Sequence, residues 1–253
     1  MSLLRALVLT AAAWAIAAGV GRAQSDPTVD RPCLTETAPS FSRLLTDPVR
    51  DVRRLPSLAT VGWLAGGGGL SLGAHAIDDR ITKHLRGSDH AISKPGAILG
   101  GATVELGTSF GSYVIGRMTD HPCTALVASD VVRAQLLAEA LTISVKFSAR
   151  RKRPEGSGFA FPSGHASVAF ASATVLQRRF GKRVGIPAYA AAAYVAASRV
   201  QMRRHFLSDV VFGAVLGVVS GHTAMRGRTK HAVVVSPLMV PGGIGASFDW
   251  RPR

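Results

Sequence analysis

The sequence predicts an all-α protein, a six-helix up-and-down bundle, and three observations predict it. Six stretches long enough for helices occupy residues 57–77, 95–117, 124–149, 164–180, 186–200 and 205–223. Breakers carrying Gly or Pro separate them at 87–95, 121–123, 153–158 and 181–187. The composition, 47% hydrophobic with 6% aromatic over 253 residues, suits one domain large enough to bury a core.

Residues 1–23 place Arg5 before an uncharged run over 6–20 and end on the small residues Gly21 and Ala23, which reads as a secretory signal peptide. An uncleaved anchor is the other reading, although the run is short of the roughly 20 apolar residues that spanning needs. Residues 24–56 hold Pro27, Pro32, Pro39, Pro48 and Pro56, so they are expected to form an irregular arm with one short helix near 41–53. The helical domain is expected over 57–230. The tail 231–253, with a β-branched run, a Pro/Gly break and an alternating end, is expected to form a short β-hairpin.

Charge bears on where the bundle sits. The first helix is uncharged but carries Gly at 66–69, the second holds Glu105, and the third holds Asp130, Arg133 and Glu139. Such charges are expensive in lipid. The sequence therefore favours a soluble or peripherally attached exported bundle over an integral membrane one. Export lets Cys33 and Cys123 pair, although two free buried thiols fit as well, and their spacing suits no metal. The formal charge of +15 favours anionic partners. Nucleic acid is disfavoured, because basic residues at 150–153 and 203–204 fall at one predicted end and those at 178–183 and 226–230 at the other, with few aromatic residues for stacking.

Three clusters of chemistry-bearing residues fall at helix ends: Lys146 with Arg153-Pro154, Pro162-Ser163-Gly164-His165, and Ser198-Arg199 with His205 and Asp209. An up-and-down topology gathers all three at one end. His205 and Asp209 are four apart, so on one helix the carboxylate can fix the imidazole tautomer and leave the other nitrogen as a candidate nucleophile. Lys146 and Arg153, seven apart, can reach one anion if their helix runs that far, and Arg199 adds a bidentate fork. Ser163 is placed as an N-cap and Gly164 opens the backbone of a helix start, a natural anion site. His165 could protonate a leaving oxygen. Arg150, Arg151 and Lys152 are expected to point partly to solvent, and His121 and His222 to be ordinary satisfied histidines.

Together these clusters resemble the type 2 phosphatidic acid phosphatase (PAP2) and vanadium haloperoxidase superfamily. Its pattern is a lysine, six residues, then Arg-Pro; Pro-Ser-Gly-His; and Ser-Arg, five residues, His, three residues, Asp. Lys146 to Pro154, Pro162 to His165, and Ser198 to Asp209 match it at every position. The resemblance implies a metal-independent, cofactor-free phosphatase of phosphate monoesters, lipid or soluble, working in the periplasm or at the membrane facing it. It implies that His205 forms a phosphohistidine, Asp209 orients it, and His165 acts as acid. Lys146, Arg153, Ser163, Gly164 and Arg199 would hold the phosphoryl oxygens, and vanadate would inhibit. A vanadate-dependent haloperoxidase and a non-catalytic basic binding module are the alternatives. The short connector over 155–161 suggests an open pocket.

Overall fold

The computed structural model describes residues 37–85, 93–226, 231–240 and 243–252. The expected signal peptide, Cys33 and the start of the arm lie outside the described residues. Helices α1 Phe41–Arg53, α2 Leu58–His75, α3 Asp78–His84, α4 Ser93–Leu99, α5 Ala102–Met118, α6 Pro122–Ala149, α7 Gly164–Phe180, α8 Lys182–Gln201 and α9 Leu207–Ala224 carry the fold. Two strands, β1 His231–Val240 and β2 Gly243–Pro252, pair antiparallel, with His231 opposite Pro252 and Val240 opposite Gly243.

Local chemistry sets the boundaries. Pro122 begins α6, where its missing N–H costs nothing. Gly181, at φ +72°, ends α7 in a conformation that other residues rarely adopt. Ser57 caps α2 by accepting from the Thr60 amide at 3.1 Å. Where the sequence predicts a single helix over 95–117, the chain forms α4 and α5. Gly101 is extended there, and a Cβ on Gly100 would overlap the Val195 side chain of α8. The arm carries α1 with Leu44 and Asp51 buried, and Cys123 at the start of α6 is disulfide-bonded.

α7 lies at the centre, packed by α6, α8 and α9, while α2 covers α9, α1 covers α6 and α4 covers α8. The core is built from small residues, with Val131, Ala134, Ala138, Ala171, Val175, Ala224 and Met225 forming one cluster. Small side chains let the backbones close on one another. On α9, Gly213, Gly217 and Gly221 recur every four residues against α7. A Cβ on Gly213 would lie 2.5 Å from the Ser163 carbonyl oxygen, and one on Gly217 would overlap the Ser167 carbonyl oxygen. The Ser163 amide donates to the Asp209 carbonyl at 3.0 Å, tying the two helix starts together.

Two of the interior charges noted in the sequence, Asp130 and Arg133, are paired within the protein. Arg133 bonds both oxygens of Asp51, at 2.9 and 2.6 Å, and reaches Asp130 at 3.4 Å. Arg179 Nε donates to Asp130 at 3.0 Å, so the chain of charges joins α1, α6 and α7. Removing one member would leave an uncompensated buried charge, a loss of about 3–5 kcal/mol.

Glu105 of α5 is held by neutral groups: Ser172 donates to it at 3.0 Å, and Gln135 donates to Ser172 at 3.0 Å. Burial pushes its pKa up to about 7. The folded state then holds a proton that the unfolded chain releases, so stability falls as pH rises from about 4.5 to 7. Glu105→Gln is expected to remove that slope. Thermal melts should show the variant more stable by about 1–3 kcal/mol at pH 8 and close to wild type at pH 5.

Candidate active site

The C-terminal ends of α6 and α8 and the N-terminal ends of α7 and α9 converge at one end of the bundle. α6 stops at Ala149: Arg150 turns left-handed, at φ 47°, and its amide closes on the Lys146 carbonyl at 3.0 Å. The expectation that this helix could carry both Lys146 and Arg153 is therefore corrected. Lys146 sits in the last helical turn, whereas Arg153 returns through a tight connector. There the Ala160 amide bonds the Arg151 carbonyl at 2.6 Å, the Arg153 amide bonds that of Gly158 at 3.3 Å, and Gly156 and Gly158 take positive φ.

Ser163 occupies the N-cap position of α7 but makes no capping bond, a second correction. Backbone contact with Asp209 already fixes the helix start, and the buried Ser163 hydroxyl has no hydrogen-bond partner among the described residues. Gly164 opens the first turn, where an added Cβ would lie 3.3 Å from Glu139 Oε2. At the end of α8, the amides of Arg204 and His205 both turn back onto the Arg199 carbonyl, at 3.0 and 3.2 Å. That turn brings His205 beside Arg199, whose Nε is buried without a partner among the described residues.

Asp209 lies in the first turn of α9. Its Oδ2 accepts the Phe206 amide at 2.8 Å and faces His205 Nδ1 at 3.7 Å. The second distance is an ion-pair separation longer than a hydrogen bond, and such contacts commonly tighten when substrate binds. His205 is 2% exposed. Nδ1 is turned to the carboxylate, which leaves Nε2 for chemistry.

Positive charge is crowded at this end of the bundle. Burial pushes the His205 pKa down, opposed by Asp209 and reinforced by Lys146 and Arg199. His165 falls to about 4, through burial and then through Arg199 and His205. Lys146 is lowered by burial and by Arg153, and Arg199 to about 10 by burial and by Arg204. Each basic group is destabilised by confinement with the others, and a bound dianion would reverse that. Among the described residues, no cluster of three His, Cys, Asp or Glu side chains is placed to hold a metal. His121 bonds the Thr119 carbonyl at 2.7 Å, and His222 stacks on Trp63.

The expectation for Arg151 is corrected most. It points inward, with Nη1 donating to Asp209 Oδ1 at 2.8 Å and to Ser208 Oγ at 2.7 Å, and Nη2 donating to Asp78 Oδ2 at 2.9 Å. Its guanidinium covers the Phe206 ring at 4.0 Å. Asp78 also accepts the Ser208 amide at 3.0 Å, and His75 lies at 3.0 Å. Burial alone would raise the Asp78 pKa, but the bonds from Ser208, Arg151 and His75 hold it below the usual carboxylate value. Glu139 was also missed: its buried Oε2 has no hydrogen-bond partner among the described residues, and burial raises its pKa. Neither Asp78 nor Glu139 belongs to a sequence motif that could have signalled it.

One end of the bundle thus gathers a lysine, two arginines, a helix start and a His–Asp pair, groups complementary to an anion. Residues 122–232 match the family model of the PAP2 superfamily. Over 80 residues the chain is 38% identical to the lipid A 1-phosphatase of Porphyromonas gingivalis, an alignment that takes in 30% of this chain and 18% of that protein's length. The crystal structure of Aquifex aeolicus LpxE superposes with a TM-score of 0.51 at 19% identity, covering 59% of this chain and 95% of that one, a likeness of fold.

Proposed function

We propose that the protein is a metal-independent phosphatase that hydrolyses phosphate monoesters, lipid phosphates in particular, through a phosphohistidine on His205. The observation that carries this reading is the convergence of the His205–Asp209 pair with Lys146, Arg199 and the buried Ser163 hydroxyl at one end of the bundle. His205 Nε2 attacks phosphorus, and the N–P bond forms as the P–O bond to the leaving alcohol breaks. Asp209 stabilises the charge that develops on the ring. His165 gives its proton to the leaving oxygen, then accepts one from the water that attacks phosphorus, breaks the N–P bond and frees phosphate. Lys146, Arg153, Arg199, Ser163 and the amides at Gly164 stabilise the equatorial oxygens, the largest share of the rate enhancement.

The lipid A 1-phosphatase likeness supports a lipid substrate. So does the apolar outer surface of α2, where Leu58, Leu70 and Leu72 are at least 70% exposed, which suits association with a membrane surface. Purified protein assayed on a water-soluble phosphate ester and on phosphatidate or lipid A vesicles tests both parts. Turnover that needs no metal and is blocked by vanadate supports the phosphatase. Halide oxidation with vanadate, or salt-sensitive DNA affinity without hydrolysis, would overturn it.

The histidines also set a pH profile. The free protein needs His205 neutral and His165 protonated, yet His165 titrates near 4. We therefore expect kcat/KM to fall steadily above about pH 6.5. Bound phosphate dianion raises the pKa of His165, so the kcat profile should sit at higher pH than that of kcat/KM. Parallel profiles would sink the assignment of His165.

A further inference from the structure

Arg151 belongs to none of the three motifs, yet it makes more polar contacts around Asp209 than His205 does. Asp209 and Asp78 are 0% and 2% exposed, and two buried carboxylates need a cation. Arg151 is the cation between them, its two terminal nitrogens divided between α9 and α3. The chain delivers it from a fixed point: the left-handed Arg150 redirects the backbone, and the Arg151 carbonyl is bonded by the Ala160 amide. With Oδ1 on Arg151 and Oδ2 on the Phe206 amide, the Asp209 carboxylate has no freedom to rotate away from His205.

We propose that Arg151 is a positioning residue, a clamp that Asp78 anchors, which fixes the carboxylate of Asp209 and limits the charge it presents to His205. The clamp acts through Asp209 and leaves the phosphoryl oxygens to Lys146, Arg153 and Arg199. His205 is faced by Asp209 from α9, Lys146 from α6, Arg199 from α8 and His165 from α7, and Arg151 is faced by Asp78 of α3 and His75 of α2. Taking away the Arg151 charge raises the proton affinity of the His205–Asp209 pair, whichever member binds the proton. More of the nucleophile is then protonated at a given pH.

Because the clamp deepens the phosphatase reading, its test separates the two. Wild type and Arg151→Gln are compared on a water-soluble phosphate ester, with inorganic phosphate as competitive inhibitor and circular dichroism to check the fold. We expect kcat to fall by about 10- to 100-fold while the inhibition constant for phosphate changes less than about threefold, a loss confined to the transition state. The acid limb of kcat should move to higher pH. Guanidinium ion added to Arg151→Ala should restore part of the rate. A folded Arg151→Gln with wild-type kcat and an unmoved acid limb overturns the clamp, and so does a matched loss in phosphate binding.

If Arg151→Gln fails to fold, Arg151→Lys carries the test. One ammonium cannot span both carboxylates, so kcat should fall with the acid limb in place, and an unchanged kcat would overturn the proposal. An inactive wild type would sink the phosphatase reading alone. The clamp is then decided by nuclear magnetic resonance titration of the His205 ring, which rises in Arg151→Gln if the clamp acts and stays put if it does not.

Discussion

His205→Ala is expected to lower phosphate-ester hydrolysis by about 10⁴-fold or more, the scale seen when a covalent nucleophile is removed. The side chain is 2% exposed and paired with Asp209, so its loss also costs some stability, and the comparison needs a melt of both proteins. The intermediate offers a second measurement. Wild type quenched during turnover of a labelled ester should carry label that survives alkali and is lost in acid, as a phosphoramidate does. His205→Ala should carry none. Asp209→Asn should keep the nucleophile and lose less. An active, folded His205→Ala would overturn the mechanism outright.

Gly217→Val is expected to cost at least about 4 kcal/mol, leaving little folded protein at 37 °C. The atoms that an added Cβ would meet are the Ser167 carbonyl oxygen, the Phe170 Cβ and the Ala171 amide nitrogen of α7, mostly backbone that cannot rotate aside. The two helices must part for the new side chain to fit. Gly69→Ala is the internal control. Among the described residues nothing lies within 4 Å of a Cβ added at that position on α2, so better helix propensity should raise stability by about 0.5–1 kcal/mol. Denaturant melts of the two variants should move in opposite directions. A folded Gly217→Val with wild-type stability would mean that α7 and α9 do not pack as described.

The helices with punctuated ends were legible in the sequence. The stretch expected at 164–180 is α7 to the residue, because Ser163-Gly164 and Gly181 mark it, and 124–149 differs from α6 only by the Pro122 start. The division of 95–117 was not legible, since it depends on Gly100 meeting Val195, a contact across 95 positions. The site followed the same rule. Motif residues announce themselves by short spacing, and the topology brings their helix ends together. Arg151 could not announce itself: its partners Ser208 and Asp78 lie 57 and 73 positions away, and in sequence it is one basic residue among four. The Ser163 hydroxyl was misread for a related reason, because the bond that fixes its helix comes from a carbonyl on another element.

The main-chain bond from the Ser163 amide to the Asp209 carbonyl gives the molecule its own strain gauge. Ser163 is fully buried, and its proton is held by a neighbouring helix start, so exchange with solvent requires the two starts to separate. The half-life of that single deuterium label should lengthen when phosphate or vanadate occupies the pocket. It would report, without any turnover, how firmly the starts of α7 and α9 are held together.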